Sequence, residues 1–173
     1  MSQFSNVVTV LTAGWSLMLC QPVRAEDPHQ LSAQDRRFMM EAAKGGAMEV
    51  KFGYLGEQRG STPGVKSFSH RLVDDHTKAN DELMELARQK GLALPAENPE
   101  VTPQDLTTKT GSDFDREFAR VAISDHEKDI AEFEKEANSG RDPDVKAWAS
   151  KTLPTLRAHL DGAKALLYSS TSR

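Results

Sequence analysis

The sequence predicts an all-α fold, an antiparallel four-helix bundle with a long crossover between its second and third helices. Three observations predict it. Four segments carry apolar or small residues at alternating steps of 4 and 3, the spacing that holds one stripe of a helix against its neighbours. Residues 92–110, between the second and third segments, hold three prolines and no helical period. Finally, the first hairpin recurs as the second. At an offset of 80 residues (115 − 35), Asp35, Arg36, Phe38 and Ala42 match Asp115, Arg116, Phe118 and Ala122, and Pro63, Val65 and Lys66 match Pro143, Val145 and Lys146.

Composition fits this class and excludes others. At 173 residues the chain is one domain by length, with 38% apolar and 28% charged residues, as in soluble globular proteins. Only 6% is aromatic, which suits closely packed helices better than sheets. The formal charge of −4 and the lack of any basic stripe argue against nucleic acid as a partner. No Gly-rich phosphate loop is present, so no nucleotide cofactor is expected.

Residues 1–25 read as a secretory signal peptide. Residues 7–20 form an uncharged apolar run of 14, too short to span a bilayer, and Val23-Arg24-Ala25 fits a small-x-small cleavage site. Residues 26–173 are then a single exported domain, expected in the periplasm, with no integral membrane span and a charge of −5 once Arg24 is removed. The alternative is an anchor, either lipid on Cys20 or the uncleaved segment itself. Cys20 is the only cysteine, so the mature chain has no disulfide to form.

The first helix is expected over residues 32–59, capped by Ser32, with Phe38, Ala42, Gly45, Glu49, Phe52 and Gly56 on its inner stripe. Gly60 breaks it. Thr62 and Pro63 open the second helix, 63–90, whose stripe is Val65, Phe68/Ser69, Leu72, His76, Ala79, Leu83 and Leu86, and Gly91 closes it. A helix of this length spans about 42 Å. The 19 residues of 92–110, read as extended, reach roughly 60 Å, enough to cross the whole bundle. That is the long crossover of ferritin-like bundles. The third helix is expected over 112–138 with Phe118, Ala122, His126, Asp129 and Phe133 inward, and the fourth over 143–168. Asp142 caps the fourth, whose stripe is Val145, Trp148, Thr152, Leu156, His159, Ala163 and Leu166; Pro154 inside it removes the bond to the Ser150 carbonyl and should kink it.

Each stripe carries one ionisable residue near its middle: Glu49, His76, His126 and His159, with Asp129 one turn beyond His126. A second offset of 50 residues aligns Asp75-His76 with Asp125-His126. Three imidazoles and one or two carboxylates at one level of a bundle suit Fe, Zn or Mn. Without a metal, the same residues would form a hydrogen-bonded polar layer in the core. Asp75 and Asp125 point about 100° away from the adjacent histidines, either as solvated charges or as support for a ligand on a neighbouring helix.

Several of these motifs also carry a resemblance. Glu49-Val50-x-x-Gly53, Val65-Lys66-x-Phe68, Asp75-His76, Phe114-Asp115-Arg116, Asp125-His126 and Leu153-Pro154-x-Leu156-x-x-His159-Leu160 resemble the bacterial family called domain of unknown function 4142 over about residues 32–168. The resemblance implies an exported, ferritin-like four-helix bundle and supplies no reaction. The chain departs from di-iron ferritin-like proteins, which carry Glu-x-x-His on two helices. None of the four expected helices carries Glu-x-x-His; Glu26-Asp27-Pro28-His29 lies ahead of the first of them. The leading expectation is therefore an exported bundle that binds one metal ion, in a redox or stress role. The alternative is a non-enzymatic envelope protein, self-associating or bound to a protein partner, with a metal-free polar layer.

Overall fold

The structure, a computed structural model, describes residues 31–95 and 104–171. The expected signal peptide and the middle of the crossover lie outside the described residues. Four long helices form the bundle: α1 (Ala33–Arg59), α2 (Pro63–Gln89), α4 (Gly111–Ser139) and α5 (Pro143–Thr171), with a single short turn, α3 (Gln104–Thr107), before α4.

Local chemistry starts and stops each helix. Ser32 caps α1 by accepting the Asp35 N–H at 3.1 Å, and the Asp35 carboxylate accepts the Ser32 N–H at 2.9 Å, a reciprocal capping box. Thr62 caps α2 with Pro63 at its first position. Gly91, at φ 65°, lets the chain turn out of α2 where a side chain would be strained. Asp142 accepts the Val145 N–H at 3.1 Å and so caps α5. α5 runs unbroken through Pro154, whose ring faces solvent, and on to Thr171, three residues beyond the expected end, since neither Gly nor Pro stands in residues 168–171.

The crossover departs from the fully extended expectation. α3 anchors its far end, with Leu106 fully buried and the Arg59 guanidinium donating to the carbonyls of Leu106, Thr107 and Lys109. Four residues are too few to display a helical period. Leu31, just ahead of α1, is buried in one cluster with Phe38 and Met39.

End contacts fix the topology. Asp35, at the start of α1, accepts the N–H groups of Arg141 at 2.8 Å and Asp142 at 3.3 Å, just past the end of α4. Its repeat counterpart Asp115, at the start of α4, accepts from the Ser61 N–H and hydroxyl, both at 2.8 Å, just past the end of α1. Lys90, ending α2, pairs with Asp142 at 2.7 Å and Asp144 at 2.6 Å at the start of α5. Thus α1 is antiparallel to α4 and α2 to α5, while each hairpin is antiparallel within itself. The ends of α2 and the start of α4 then lie at opposite ends of the bundle, and the crossover must travel its length. This is the ferritin-like arrangement.

Asp35 also meets Glu136, a buried carboxyl absent from the expected stripe of the third helix although it follows Phe133 by three residues. Burial and the hydrogen bond to Asp35 push Glu136 up to about 7. For Asp35, burial alone would raise the pKa, but hydrogen bonds from Glu136, Ser32 and the Arg141 N–H hold it at about 2. Below about pH 7, therefore, Glu136 is the carboxyl of the two that carries a proton, beside an ionised Asp35. Because the folded pKa of Glu136 lies above its ordinary value, the stability it contributes is complete below about pH 4.5 and is lost as pH rises through about 7. Glu136→Gln keeps a donor for Asp35 and removes the titration. Thermal unfolding of this variant is expected to lose less stability than wild type between pH 5 and 8; parallel curves would reject the proton on Glu136.

The core divides in two. One cluster packs Phe38, Met39, Leu83, Phe133, Trp148 and Leu156. The other packs Phe52, Phe68, Leu72, Phe114, Phe118 and Ala163. Between them, at mid-bundle, lies a polar layer.

Candidate metal centre

The layer is built by four helices whose 3-and-4 spacing turns one polar side chain each into the interior. His76 on α2, His126 on α4 and His159 on α5 are 6%, 0% and 1% exposed, and Glu49 on α1 is 5% exposed. The ring centroids of the three histidines lie 5.2–5.7 Å apart. One nitrogen from each lies within 4.8 Å of the others. Phe68 closes one side with its ring edge-on to His159 at 6.3 Å.

Hydrogen bonding assigns the tautomers. His126 Nδ1 is 2.9 Å from the Ala122 carbonyl oxygen, which only accepts, so Nδ1 carries the proton and Nε2 a lone pair. His159 Nε2 is 2.9 Å from the Asp75 carboxylate, so Nε2 carries the proton and Nδ1 a lone pair. These two lone-pair nitrogens face each other at 3.2 Å. No proton lies between them while both rings are neutral. His76 Nε2 is buried without any hydrogen-bond partner.

A shared proton would satisfy the pair, but burial opposes it. Burial, then the neighbouring His159, push His126 down to about 4. Burial and the other two imidazoles hold His76 well below the ordinary histidine range. Burial also lowers His159, against the Asp75 carboxylate that favours its charged form. Three neutral nitrogen donors therefore meet in a water-poor interior, a donor set that fits a borderline transition metal such as Zn or Fe.

The carboxylates expected among these nitrogens stand apart from them. Glu49 Oε1 lies 4.0 Å from His126 Nδ1, on the side of the ring away from His159, and beyond hydrogen-bond distance. Its Oε2 is buried without a partner. Asp129 is half-buried beside Glu49, lining the same small cleft between α1 and α4. Burial, followed by Asp129 and Asp125, drives Glu49 well above the ordinary carboxylate range, and burial raises Asp129 to about 6. Of the two flanking aspartates, Asp75 holds His159, whereas Asp125 is paired with Lys128 at 3.3 Å near solvent.

Comparison with known proteins comes to the same architecture. The profile of the family described as Domain of unknown function (DUF4142) matches residues 20–166. The fold resembles a DUF305 fragment from Deinococcus radiodurans, at TM-score 0.70 and 14% identity over 81% of this chain and 99% of that one. It also resembles a conserved hypothetical protein from Mycobacterium tuberculosis, at TM-score 0.66 and 15% identity over 79% of this chain and 98% of that one. At such identities the likeness is one of fold. No curated protein matches the chain.

Proposed function

This chain belongs to the DUF4142 family, a domain of unknown function, and from that premise we propose that it is an exported protein that binds one transition-metal ion through His76, His126 and His159. The observation that carries the reading is the 3.2 Å approach of two imidazole nitrogens whose protons are both committed elsewhere, beside a third that is orphaned. A cation shared among two facing lone pairs and a third unpartnered imidazole nitrogen would relieve them all, since an unpaired buried polar group costs about 1–3 kcal/mol.

A metal there would supply Lewis acidity or redox chemistry, with Zn and Fe suiting imidazole and Mn calling on the nearby carboxylates. Three protein donors are one fewer than a closed tetrahedral site uses. Both apolar clusters flank the layer, which suits holding a metal or meeting a small molecule better than turning over a bulky substrate. Asp75 would fix the His159 tautomer and raise its basicity. Export rests on the apolar segment 7–20 and the Val23-Arg24-Ala25 site; among the described residues no helix is long and apolar enough to cross a membrane.

The direct test is elemental analysis of untagged protein from the periplasm, followed by zinc titration of the metal-free form. One equivalent is expected; protein that stays empty would leave the histidines as a polar core layer. Asp75→Asn should weaken zinc binding by about 10–100-fold while leaving the stoichiometry at one, the usual cost of removing a carboxylate behind a ligating histidine. Unchanged affinity would remove Asp75 from the site.

A further inference from the structure

We propose that Glu49 and Asp129 form a second cation site, separate from the imidazoles and suited to a hard divalent ion such as Mn2+ or Mg2+. The two side chains line a cleft of about 170 Å³ between α1 and α4, together with Gly45, Met48, Phe52, Asp125 and Lys128. Glu49 is 5% exposed, and its Oε2 reaches no hydrogen-bond partner. A buried carboxyl oxygen without a partner is a costly state that a bound cation would relieve. Lys128, the ammonium at the cleft, pairs with Asp125 at 3.3 Å and lies exposed at the rim, where it also acts on Asp129, while Asp125 is half-buried.

Charge and donor type choose the ion. Two carboxylates are neutralised by one divalent cation, and oxygen donors select hard ions where imidazoles select borderline ones. The His126 ring separates the two sites, because its Nδ1 edge faces Glu49 and its Nε2 edge faces His159. The space beside Gly45 is open, since a Cβ built there would meet nothing within 4 Å. Water molecules can therefore complete the coordination of an ion with only two protein carboxylates, as is usual for Mg2+.

The test is a Mn2+ titration followed by loss of the free-ion electron paramagnetic resonance signal, run with and without one equivalent of Zn2+. One Mn2+ is expected to bind whether or not zinc is present. Glu49→Gln/Asp129→Asn, checked for unchanged helicity, should weaken that binding by roughly tenfold or more, while His76→Ala leaves it intact. Undiminished Mn2+ uptake by the carboxamide variant, or no uptake by wild type at millimolar Mn2+, would overturn the proposal. Loss of Mn2+ binding in His76→Ala would also overturn it, by showing a single shared site. Mn2+ binding without any zinc binding would instead count only against the imidazole centre.

Discussion

His159→Ala is expected to lower zinc affinity by on the order of a thousandfold, well beyond the 10–100-fold that follows loss of a supporting carboxylate. Among the described residues, His159 is one of three histidines whose nitrogens converge, and no second donor from its helix joins them. Stability should report the same loss. Zinc at about a hundred times its dissociation constant stabilises a folded protein by roughly 2.7 kcal/mol, and a chain of this size gains about 2–4 °C per kcal/mol. Wild type should therefore melt about 5–10 °C higher with zinc, and His159→Ala should show almost no zinc-dependent shift. Burial keeps the rings neutral well below their ordinary titration, with His126 at about 4, so zinc binding should persist to pH 5 and fail below it. Equal zinc-induced shifts in wild type and variant would end the metal assignment, whatever the variant does to the metal-free protein.

Phe118→Ala is expected to destabilise the protein by about 3–5 kcal/mol, the range for deleting a fully buried aromatic ring. Phe118 stacks on Phe52 at 4.1 Å between centroids and meets Phe114 at 5.8 Å and Phe68 edge-on at 6.4 Å. It also presses on α1 at Gly56. A Cβ at that glycine would fall 2.5 Å from Phe118 Cζ and within the space of the Ser69 hydroxyl. Gly56→Ala should thus be costly despite its better helix propensity. The two changes should couple, because truncating Phe118 vacates part of the space the new methyl needs. A double-mutant cycle by chemical denaturation measures this. A double variant less stable than wild type by the plain sum of the two single losses would show that Gly56 and Phe118 do not constrain each other.

The helices, their order and the bundle class were legible because each rests on local chemistry. Ser32, Thr62-Pro63 and Asp142 mark starts, Gly60 and Gly91 mark stops, and the 3-and-4 spacing marks the buried stripe. The 80-residue repeat even paired Asp35 with Asp115, though not what the pair does. Each aspartate reaches across to the turn of the other hairpin, a contact between residues 54 or 106 positions apart that no periodicity records. Glu136 was missed for a related reason. A glutamate on a helix reads as solvent-facing until a neighbouring helix covers it and a second carboxyl hydrogen-bonds to it.

The candidate centre shows the same division. Spacing alone turned His76, His126 and His159 inward on separate helices, because a helix of 3.6 residues per turn leaves little choice about which face a residue occupies. Spacing could not rank the donors. Glu49 stands on the expected inner stripe of a helix rich in glycine, and a side chain's reach, rotamer and partners depend on the rotation and depth of the helices around it. Tertiary packing set those, placing Ala122 O and Asp75 where they fix two tautomers and leaving Glu49 behind the His126 ring with Asp129. The sequence by itself determined which residues enter the interior; only the packed bundle decided which of their atoms face one another.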